Sequence, residues 1–296
     1  MHSYWDDFWA LKGYNGAIAI ATALRHRDAA SRLEMQREEF RIDLGASLRH
    51  ATAAHAIAYL PGSAELGDFD PTSSTIAIAP AGELHRLPAD LILATYERYW
   101  REFVARRDGR TAWEDYTPYE IRTVGTFVRL GWRDRAHELI AFFLAGHRPP
   151  EWNQWPEVVG RDPRQPRFVG DLPHGWVASD FIRAVLDLFA YEREGDQALV
   201  LAGGVPAEWL EGSGVAVKDL RTPYGLLRYS LKKKGGSVIL HVAGGSRVPP
   251  GGLAFVWPGK RPPPPDARVN GKAAPWHGSE LRFHELPAKV VVNGNP

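Results

Sequence analysis

The spacing of apolar residues changes near residue 196, and this change constrains the fold more than any other feature of the chain. Before it, apolar residues recur every three to four positions, which is typical of helices packed on one side. The helical patterns cover seven segments: 3–24, 28–59, 71–78, 89–107, 117–130, 133–145 and 176–194. Beyond it, Pro and Gly multiply between short apolar runs, which indicates strands. The sequence therefore predicts a mainly α domain over 1–196 and a small antiparallel β-sandwich over 197–296.

Turn and cap signals support these segments. Asp70 followed by Pro71 combines an N-cap with a proline at the first helical position. Thr117 and Pro118 repeat that pattern, and Glu120 adds a carboxylate in the first turn. In the second part, the run KKKGG separates the apolar runs at 226–231 and 237–243 and predicts a hairpin, and a further strand is predicted at 253–257.

Residues 151–176, here called the Trp loop, form a long connection between two helical patterns. The loop contains Trp152, Trp155, Trp176 and Glu157 among prolines and polar residues. A connection of this length is usually functional or disordered, and its aromatic content argues against disorder. Indole rings stack on the C–H faces of sugars, while carboxylates and amides bond their hydroxyls. The Trp loop therefore predicts a carbohydrate-active site with Glu157 as a catalytic carboxylate.

The helical patterns alternate between Ala- and Gly-rich segments and segments with one apolar stripe, which predicts a partial α/α toroid of about seven helices. We take 5–24, 71–79, 117–130 and 175–194 as the inner helices, so their N-termini face one end of the toroid. The loops that precede them are YWDD, GDFDP, WEDYTPYE and the Trp loop. The clusters of aromatic and acidic residues are thus expected to converge on one rim.

Composition excludes several classes of function. Lys and Arg (36) balance Asp and Glu (35), so no charge excess points to nucleic acid or to an anionic membrane. No cysteine is present, and the histidines do not follow metal-ligand spacing, so neither a metal site nor a cofactor is predicted. The first ten residues do not form a signal peptide, and no run approaches the roughly 18 apolar residues of a membrane span. The cellular location is left open.

Five stretches of the sequence are familiar as a set. They are YWDDFWALKGY, LGDFDPTSS, WNQWPEVV, GDLPHGWVASDFIRAVLDLFAYE and RTPYG. Together they resemble the C-terminal half of bacterial six-hairpin glycosidase-like proteins, among which the α-L-rhamnosidases are the nearest group of known activity. The resemblance spans most of the chain, including the trailing β domain, and says little about the substrate.

The resemblance implies an (α/α)6 barrel of twelve helices, with an acid before the sixth helix and a base before the twelfth. Counted back from 175–194 as the twelfth, the helix at 5–24 is the sixth. Asp6 or Asp7 is then expected to be the acid, with Asp6 preferred, and Glu157 the base. Five helices of the family would be missing, so a missing N-terminal half or self-association is expected; full-length relatives can be periplasmic or secreted.

The predicted substrate-binding residues carry rings or polar groups near the expected rim: Trp5, Asp68, Asp70, Trp152, Trp155, His174 and Trp176. Most candidates also have a structural interpretation. Asp6 can be the capping partner of Ser3, and Asp7 an acid favoured by the helix dipole. Glu157 can be a solvated loop residue, and Glu120 is interpreted as a cap rather than a ligand.

The leading functional hypothesis is an inverting glycoside hydrolase or a fragment of one, with carboxyl groups roughly 6.5–9.5 Å apart. A polysaccharide lyase on a toroidal fold would use Tyr119 and His174 to move a proton. A glycoside phosphorylase would need an anion pocket, and no compact cationic cluster lies near the Trp loop in the sequence. The alternative without catalysis is a sugar-binding or scaffold remnant.

Overall fold

A computed structural model describes residues 1–147, 150–162, 164 and 171–296. Within these ranges seven α-helices are formed: α1 (Tyr4–Ala23), α2 (Arg27–Ala54), α3 (Pro71–Ile78), α4 (Ala89–Arg107), α5 (Arg122–Arg129), α6 (Arg133–Ala145) and α7 (Gly175–Phe189). Two short strands lie among the helices: β1 (Asp115–Tyr116) and β2 (Val159–Gly160). The remaining strands follow α7: β3 (Ala190–Arg193), β4 (Ala198–Leu201), β5 (Val215–Thr222), β6 (Gly225–Lys234), β7 (Ser237–Val242), β8 (Leu253–Val256), β9 (Ala267–Val269), β10 (Lys272–Ala273), β11 (Trp276–His277), β12 (Glu280–Phe283) and β13 (Ala288–Asn293). The predicted succession of a helical part and a β domain is confirmed.

The chain forms two compact units. Unit 1 comprises Met1–Thr126 and Gly146–Val177, and unit 2 comprises Phe127–Ala145 and Ala178–Pro296. Helix α6 and most of α7 thus belong to the same unit as the C-terminal strands. These units are not continuous along the chain, and the domain boundary near residue 196 stays a prediction. Among the described residues, no helix combines the length and hydrophobicity needed to cross a membrane.

In unit 1, α1 packs against α2 and α3. Helix α1 buries Tyr4, Phe8 and Leu11, which lie three to four positions apart on one face. Large apolar side chains at the C-terminal end of α1 remain exposed, with Ile20 at 62% and Leu24, the residue after the helix, at 63%. Helix α1 is therefore packed on one side and presents an apolar surface on another.

Helix α3 begins as its sequence predicts. The Asp70 carboxylate accepts the backbone N–H of Ser73 at 2.9 Å, and Pro71 occupies the first helical position. Six of the eight residues of α3 are buried, which agrees with its expected place as an inner helix. The capping box at the start of α1 is a wrong prediction, because the Ser3 side chain makes no cap hydrogen bond. Ser3 instead forms an isolated β-bridge with Ser63.

In unit 2, two sheets share one hydrophobic core. The six-stranded sheet has the order β10-β9-β13-β7-β6-β5, and the five-stranded sheet the order β11-β12-β8-β4-β3. Leu240 and Val290 from the first sheet and Phe255 and Leu281 from the second lie in the same buried cluster. The prediction of antiparallel sheets has one exception, since β4 and β8 pair in parallel. The long connection through β5, β6 and β7 permits this, because parallel neighbours need a crossover.

The KKKGG hairpin forms as predicted. Lys234 of β6 pairs with Ser237 of β7 across a two-residue loop. Both loop residues, Gly235 (φ 56) and Gly236 (φ 77), have positive φ, as a type I′ turn requires.

Helix boundaries are less well predicted. The helix expected over 176–194 ends at Phe189, and the next four residues form β3. Strand β3 pairs with β4 in a hairpin register that joins Ala190 to Leu201, so sheet pairing overrides the helical pattern. The helix expected over 28–59 ends at Ala54, since Ala56 has a positive φ of 51. The helix expected over 117–130 begins as a 3-10 turn at Pro118–Ile121 before α5.

We predict that Gly236→Ala and Gly13→Ala will change stability in opposite directions. Alanine at the positive φ of Gly236 should cost about 1 kcal/mol. Gly13 lies inside α1 with open space around a built Cβ, so alanine there should add about 0.5–1 kcal/mol. Thermal unfolding of both variants tests this, and shifts of the same sign would contradict it.

Candidate active site

Backbone pairing fixes the position of the Trp loop in unit 1. Strand β1 pairs with β2 in antiparallel register, joining Tyr116 to Val159. Beside this pair, the Thr117 hydroxyl donates to the Glu157 carbonyl at 2.9 Å. The Glu157 N–H donates to the Asp171 carbonyl at 2.9 Å. Both backbone groups of Glu157 are therefore bonded, while 47% of its side chain remains exposed.

The His174 ring lies between the two limbs of the Trp loop. The backbone N–H of His174 donates to the Trp155 carbonyl at 2.7 Å. Its Nε2 lies 3.8 Å from Glu157 Oε1 and 3.9 Å from Asp171 Oδ2. The Tyr119 hydroxyl lies 3.3 Å from the same nitrogen. An imidazole, a phenol and two carboxylates thus meet at one point, with His174 13% exposed in its side chain.

A row of stacked groups connects this point to the start of α1. The Arg122 guanidinium lies 4.4 Å from the ring centre of Tyr119 and 4.6 Å from that of Trp5. Tyr119 in turn meets the His174 ring edge to face, with ring centres 5.2 Å apart. The predicted acid region and the predicted base region are therefore linked by contacts from Trp5 through Arg122 and Tyr119 to His174.

The two aspartates after Trp5 have different environments. Asp6 is exposed and Asp7 is half-buried. Burial raises the pKa of the Asp7 carboxyl above its ordinary value, and the nearby Asp6 charge adds to this effect, while His2 opposes it. Asp7 is thus the one of the two with the environment of a proton donor.

The other predicted binding residues divide into accessible and packed side chains. Trp152 and Trp176 are 62% and 65% exposed, and Trp176 lies 6.4 Å from Tyr119 between ring centres. Trp155 is only 5% exposed and packs on the His147 ring at 4.0 Å. Its expected role as a stacking platform does not fit this burial.

The two predicted binding acids of the 61–74 loop form local hydrogen bonds. Asp70 caps α3, which is the structural interpretation of that residue. Asp68 accepts the Ser63 hydroxyl at 2.6 Å and is exposed. Pro163 and residues 165–170 of the Trp loop lie outside the described residues.

Glu120, interpreted from the sequence as a cap, is a buried ion-pair residue. Both of its oxygens accept from the Arg106 guanidinium, at 2.8 and 2.6 Å, and one accepts the Tyr99 hydroxyl at 2.8 Å. Burial and these bonds leave it no role in binding a substrate. The ion pair instead anchors the turn that carries Tyr119.

Three side chains of the site have the geometry to hold a divalent cation. Ligand atoms of Glu157, Asp171 and His174 all lie within 4.8 Å of one another. Two carboxylates and an imidazole suit Zn²⁺ or a similar ion. The sequence analysis missed this group because Glu157 is 14 positions from Asp171. The i, i+3 spacing of Asp171 and His174 was the available signal.

Arg122 was also missed. It follows Tyr119 by three positions, so on a helical turn the two side chains share a face. That spacing within the predicted helix start could have identified it.

Comparison with known proteins bears on the fold. No protein-family model and no curated protein sequence matches the chain. Among solved structures, the chain resembles an α-L-rhamnosidase from Dictyoglumus thermophilum, with a TM-score of 0.52 and 10% identity over 97% of this chain and 31% of that one. The fold is that of part of an α-L-rhamnosidase. An α-L-rhamnosidase from Aspergillus terreus also matches, with a TM-score of 0.45 and 12% identity over 98% of this chain and 30% of that one.

The chain spans about a third of the length of the rhamnosidases that it matches. With 10% identity, the match at a TM-score of 0.52 shows a shared fold and nothing about activity. The number of hairpins in a complete toroid and a bacterial origin remain expectations.

We predict that Glu120→Gln will destabilise unit 1 by about 3 kcal/mol, because it leaves the buried Arg106 charge without its carboxylate. Glu102→Gln is the matched control, since Glu102 pairs with Arg98 at 2.8 Å but is 54% exposed in its side chain. The control should change stability by less than about 0.5 kcal/mol. Chemical denaturation followed by tryptophan fluorescence measures both, and similar values for the two variants would contradict the prediction.

We predict that Asp7→Asn will raise the melting temperature at neutral pH. The raised pKa of Asp7 means that its ionised form is less favourable in the folded than in the unfolded chain. The stability cost therefore grows as the pH rises above 3.8, the ordinary value, and the gain from Asn should shrink as the pH falls toward it.

Asp28→Asn is the control for this experiment. Asp28 is an exposed acid in the first turn of α2, where its charge favours the helix. Its removal should lower the melting temperature slightly. A stabilisation by Asp7→Asn that is the same at pH 4 and pH 7 would contradict the assignment.

Proposed function

We propose that the chain acts in glycoside hydrolysis, as the part of a glycosidase that carries the catalytic carboxyl groups. The observation that carries the proposal is the continuous row of contacts from Trp5 to Glu157, which links two regions about 150 positions apart. The fold shared with an α-L-rhamnosidase supports it. An inverting mechanism is the expected outcome, with the two carboxyl groups roughly 6.5–9.5 Å apart.

Glu157 is the proposed general base. Its backbone N–H and carbonyl are both hydrogen-bonded, which fixes the backbone position. The half-exposed carboxylate is accessible to water. The His174 Nε2 lies 3.8 Å from the Glu157 carboxylate, so an imidazole stands beside the proposed base. A base that activates water must be accessible, and Glu157 meets that condition.

Asp7 is the proposed general acid. Inverting hydrolysis needs one carboxyl that stays protonated long enough to assist the leaving group. Burial raises the pKa of Asp7 in that direction, whereas Asp6 is exposed to solvent. The proposal therefore shifts the preference from Asp6 to Asp7.

The exposed indoles supply the proposed sugar contacts. Trp152 and Trp176 offer accessible faces on the Trp loop and at the start of α7. Trp5 is half-buried beside Arg122 at the start of α1. Sugar rings of an oligo- or polysaccharide would stack on these rings.

A polysaccharide lyase is the second candidate, because the Tyr119 hydroxyl lies 3.3 Å from His174 Nε2. A phenol and an imidazole at this distance can pass a proton from a sugar carbon. Both reactions leave a new reducing end, but only a lyase leaves a carbon–carbon double bond, which absorbs ultraviolet light. Product analysis separates the two.

Assembly is a separate proposal. The exposed Ile20 and Leu24 at the end of α1 would be covered by further helices if the toroid is completed, either by a missing N-terminal half or by self-association. The binding-only alternative keeps the sugar contacts without turnover.

We predict that Glu157→Gln will lower kcat by about 10²- to 10⁴-fold on an aryl α-L-rhamnoside or another aryl glycoside that the protein cleaves, with sugar binding retained. The loss follows because the amide cannot accept a proton from water. Glu151→Gln is the matched control, since Glu151 is an exposed carboxylate of the same loop and should leave turnover unchanged.

Turnover and binding are measured separately, by chromophore release and by calorimetry. Unchanged turnover in Glu157→Gln would remove Glu157 from the mechanism. Binding without turnover in the unmodified protein, across a panel of aryl glycosides, would favour the binding-only alternative.

A further inference from the structure

Unit 2 contains a polar cleft that the proposed hydrolysis does not use. Its volume is about 530 Å³, within the range of small-molecule sites. The lining residues come from the end of α5, the start of α6, β3, the end of β8 and the turn before β12. Five basic side chains line it: Arg129, Arg133, Arg135, Arg193 and Lys260. Two acidic side chains also line it, Asp134 and Glu280.

Most of these charges are paired, but Arg133 is not paired with an acid. Lys260 lies 3.0 Å from Asp134, and Arg193 pairs with Asp196 and Glu280. Arg129 forms an ion pair with Asp187. These pairs account for the carboxylates on the cleft wall.

The Arg133 guanidinium donates only to backbone carbonyls. Its acceptors are Gly203 at 3.3 Å, Pro258 at 2.5 Å and Trp257 at 2.9 Å. Within the described ranges, no carboxylate lies within ion-pair distance of it. Burial lowers the pKa of the Arg133 guanidinium. The negative charges of Asp134 and Glu208 partly oppose this shift. A desolvated cation without a counter-ion is unfavourable by itself and attracts an anion.

A second donor in the cleft wall has no acceptor. Trp257 is 2% exposed, and its indole Nε1 makes no hydrogen bond. A Cβ built on Gly259, a lining residue, would lie 2.6 Å from that nitrogen and 2.8 Å from the Pro296 carbonyl carbon. Gly259 therefore packs closely against the indole, and a side chain at this position would clash with it.

The cleft also includes the first turn of α6. Residues 131–135 line it, and helix α6 begins at Arg133. The N–H groups of a first helical turn have no acceptor within the helix, and the helix dipole adds partial positive charge there. Residues that carry three kinds of donor, a guanidinium, an indole N–H and a helix start, thus line one cleft.

We propose that this cleft binds an organic anion of monosaccharide size through a carboxylate, phosphate or sulfate group. Its excess of donors matches the lone pairs of an oxyanion. Its volume is larger than an inorganic ion needs, which favours an anionic group carried on a larger body. The proposal is independent of the glycosidase assignment, since the two sites share no residue.

The test is calorimetric titration of the full chain with glucuronate and glucose 6-phosphate, compared with neutral glucose and with inorganic sulfate and phosphate. The organic anions should bind saturably and neutral glucose should not. Arg133→Gln should weaken binding about tenfold or more, because a charged hydrogen-bond donor is lost. Arg133→Lys keeps the positive charge and should retain most of the affinity that Arg133→Gln loses. Lysine cannot make all three hydrogen bonds of the guanidinium to backbone carbonyls.

Two further variants complete the design. Lys260→Gln should weaken binding by about threefold, and it changes a side chain that is 73% exposed, so folding is retained. Arg228→Gln, which removes a surface arginine paired with Asp219 and outside the cleft lining, should leave binding unchanged.

Several results would overturn the proposal. One is no saturable binding of either organic anion, and another is equal binding of glucose. Binding of sulfate and phosphate alone would show an inorganic ion site and reject the organic ligand. If Arg133→Gln does not fold, unchanged affinity in Lys260→Gln counts against the cleft.

Discussion

The hydrogen bonds that join the Trp loop to the segment before α5 are the constraint on which the candidate site depends. A loop with several prolines has few free backbone donors and cannot satisfy its carbonyls by regular structure. Here the β1–β2 pair and the Thr117–Glu157 bond supply partners from another part of the chain. The Glu157 side chain can then point to solvent from a fixed backbone, which a free loop would not provide.

The same segment is anchored from beneath by charge. Glu120 and Arg106 form a buried pair, and Tyr99 adds a third bond. Because Glu120 is buried and the Arg106 side chain is only 17% exposed, separating them would leave a largely desolvated charge unpaired. The turn that carries Tyr119 and leads into Arg122 is therefore held rigidly, and these two residues form the middle of the row from Trp5 to His174.

Local signals in the sequence were sufficient to predict the structure where a single residue type determines the backbone conformation. Pro71 after Asp70 gave the start of α3, and Gly235 with Gly236 gave the hairpin. The sequence could not reveal where pairing with another strand overrides a helical pattern, so β3 was assigned to a helix although it pairs with β4. Glu120 was assigned to a cap for the same reason, since its partner Arg106 lies on another helix.

The candidate site shows a similar division. The Trp loop, Glu157 and the acids of α1 were identified from residue types in sequence windows. The contribution of Arg122 and Asp171 depends on side chains that meet only after folding, and so does the burial that removes Trp155 as a platform. Residue type indicated the chemistry of the site, but only packing decides which side chains remain accessible.

The proposed catalytic roles of Asp7 and Glu157 are based on the difference between their environments. Sugar binding requires accessible rings and hydrogen-bonding groups, and an exposed aspartate would serve that purpose with no cost in stability. Asp7 is instead partly desolvated beside another acid, which raises its pKa and opposes folding at neutral pH. Glu157 is left half-exposed on a fixed backbone. This difference in burial is the reason that we assign the acid role to Asp7 and the base role to Glu157 in the proposed hydrolysis.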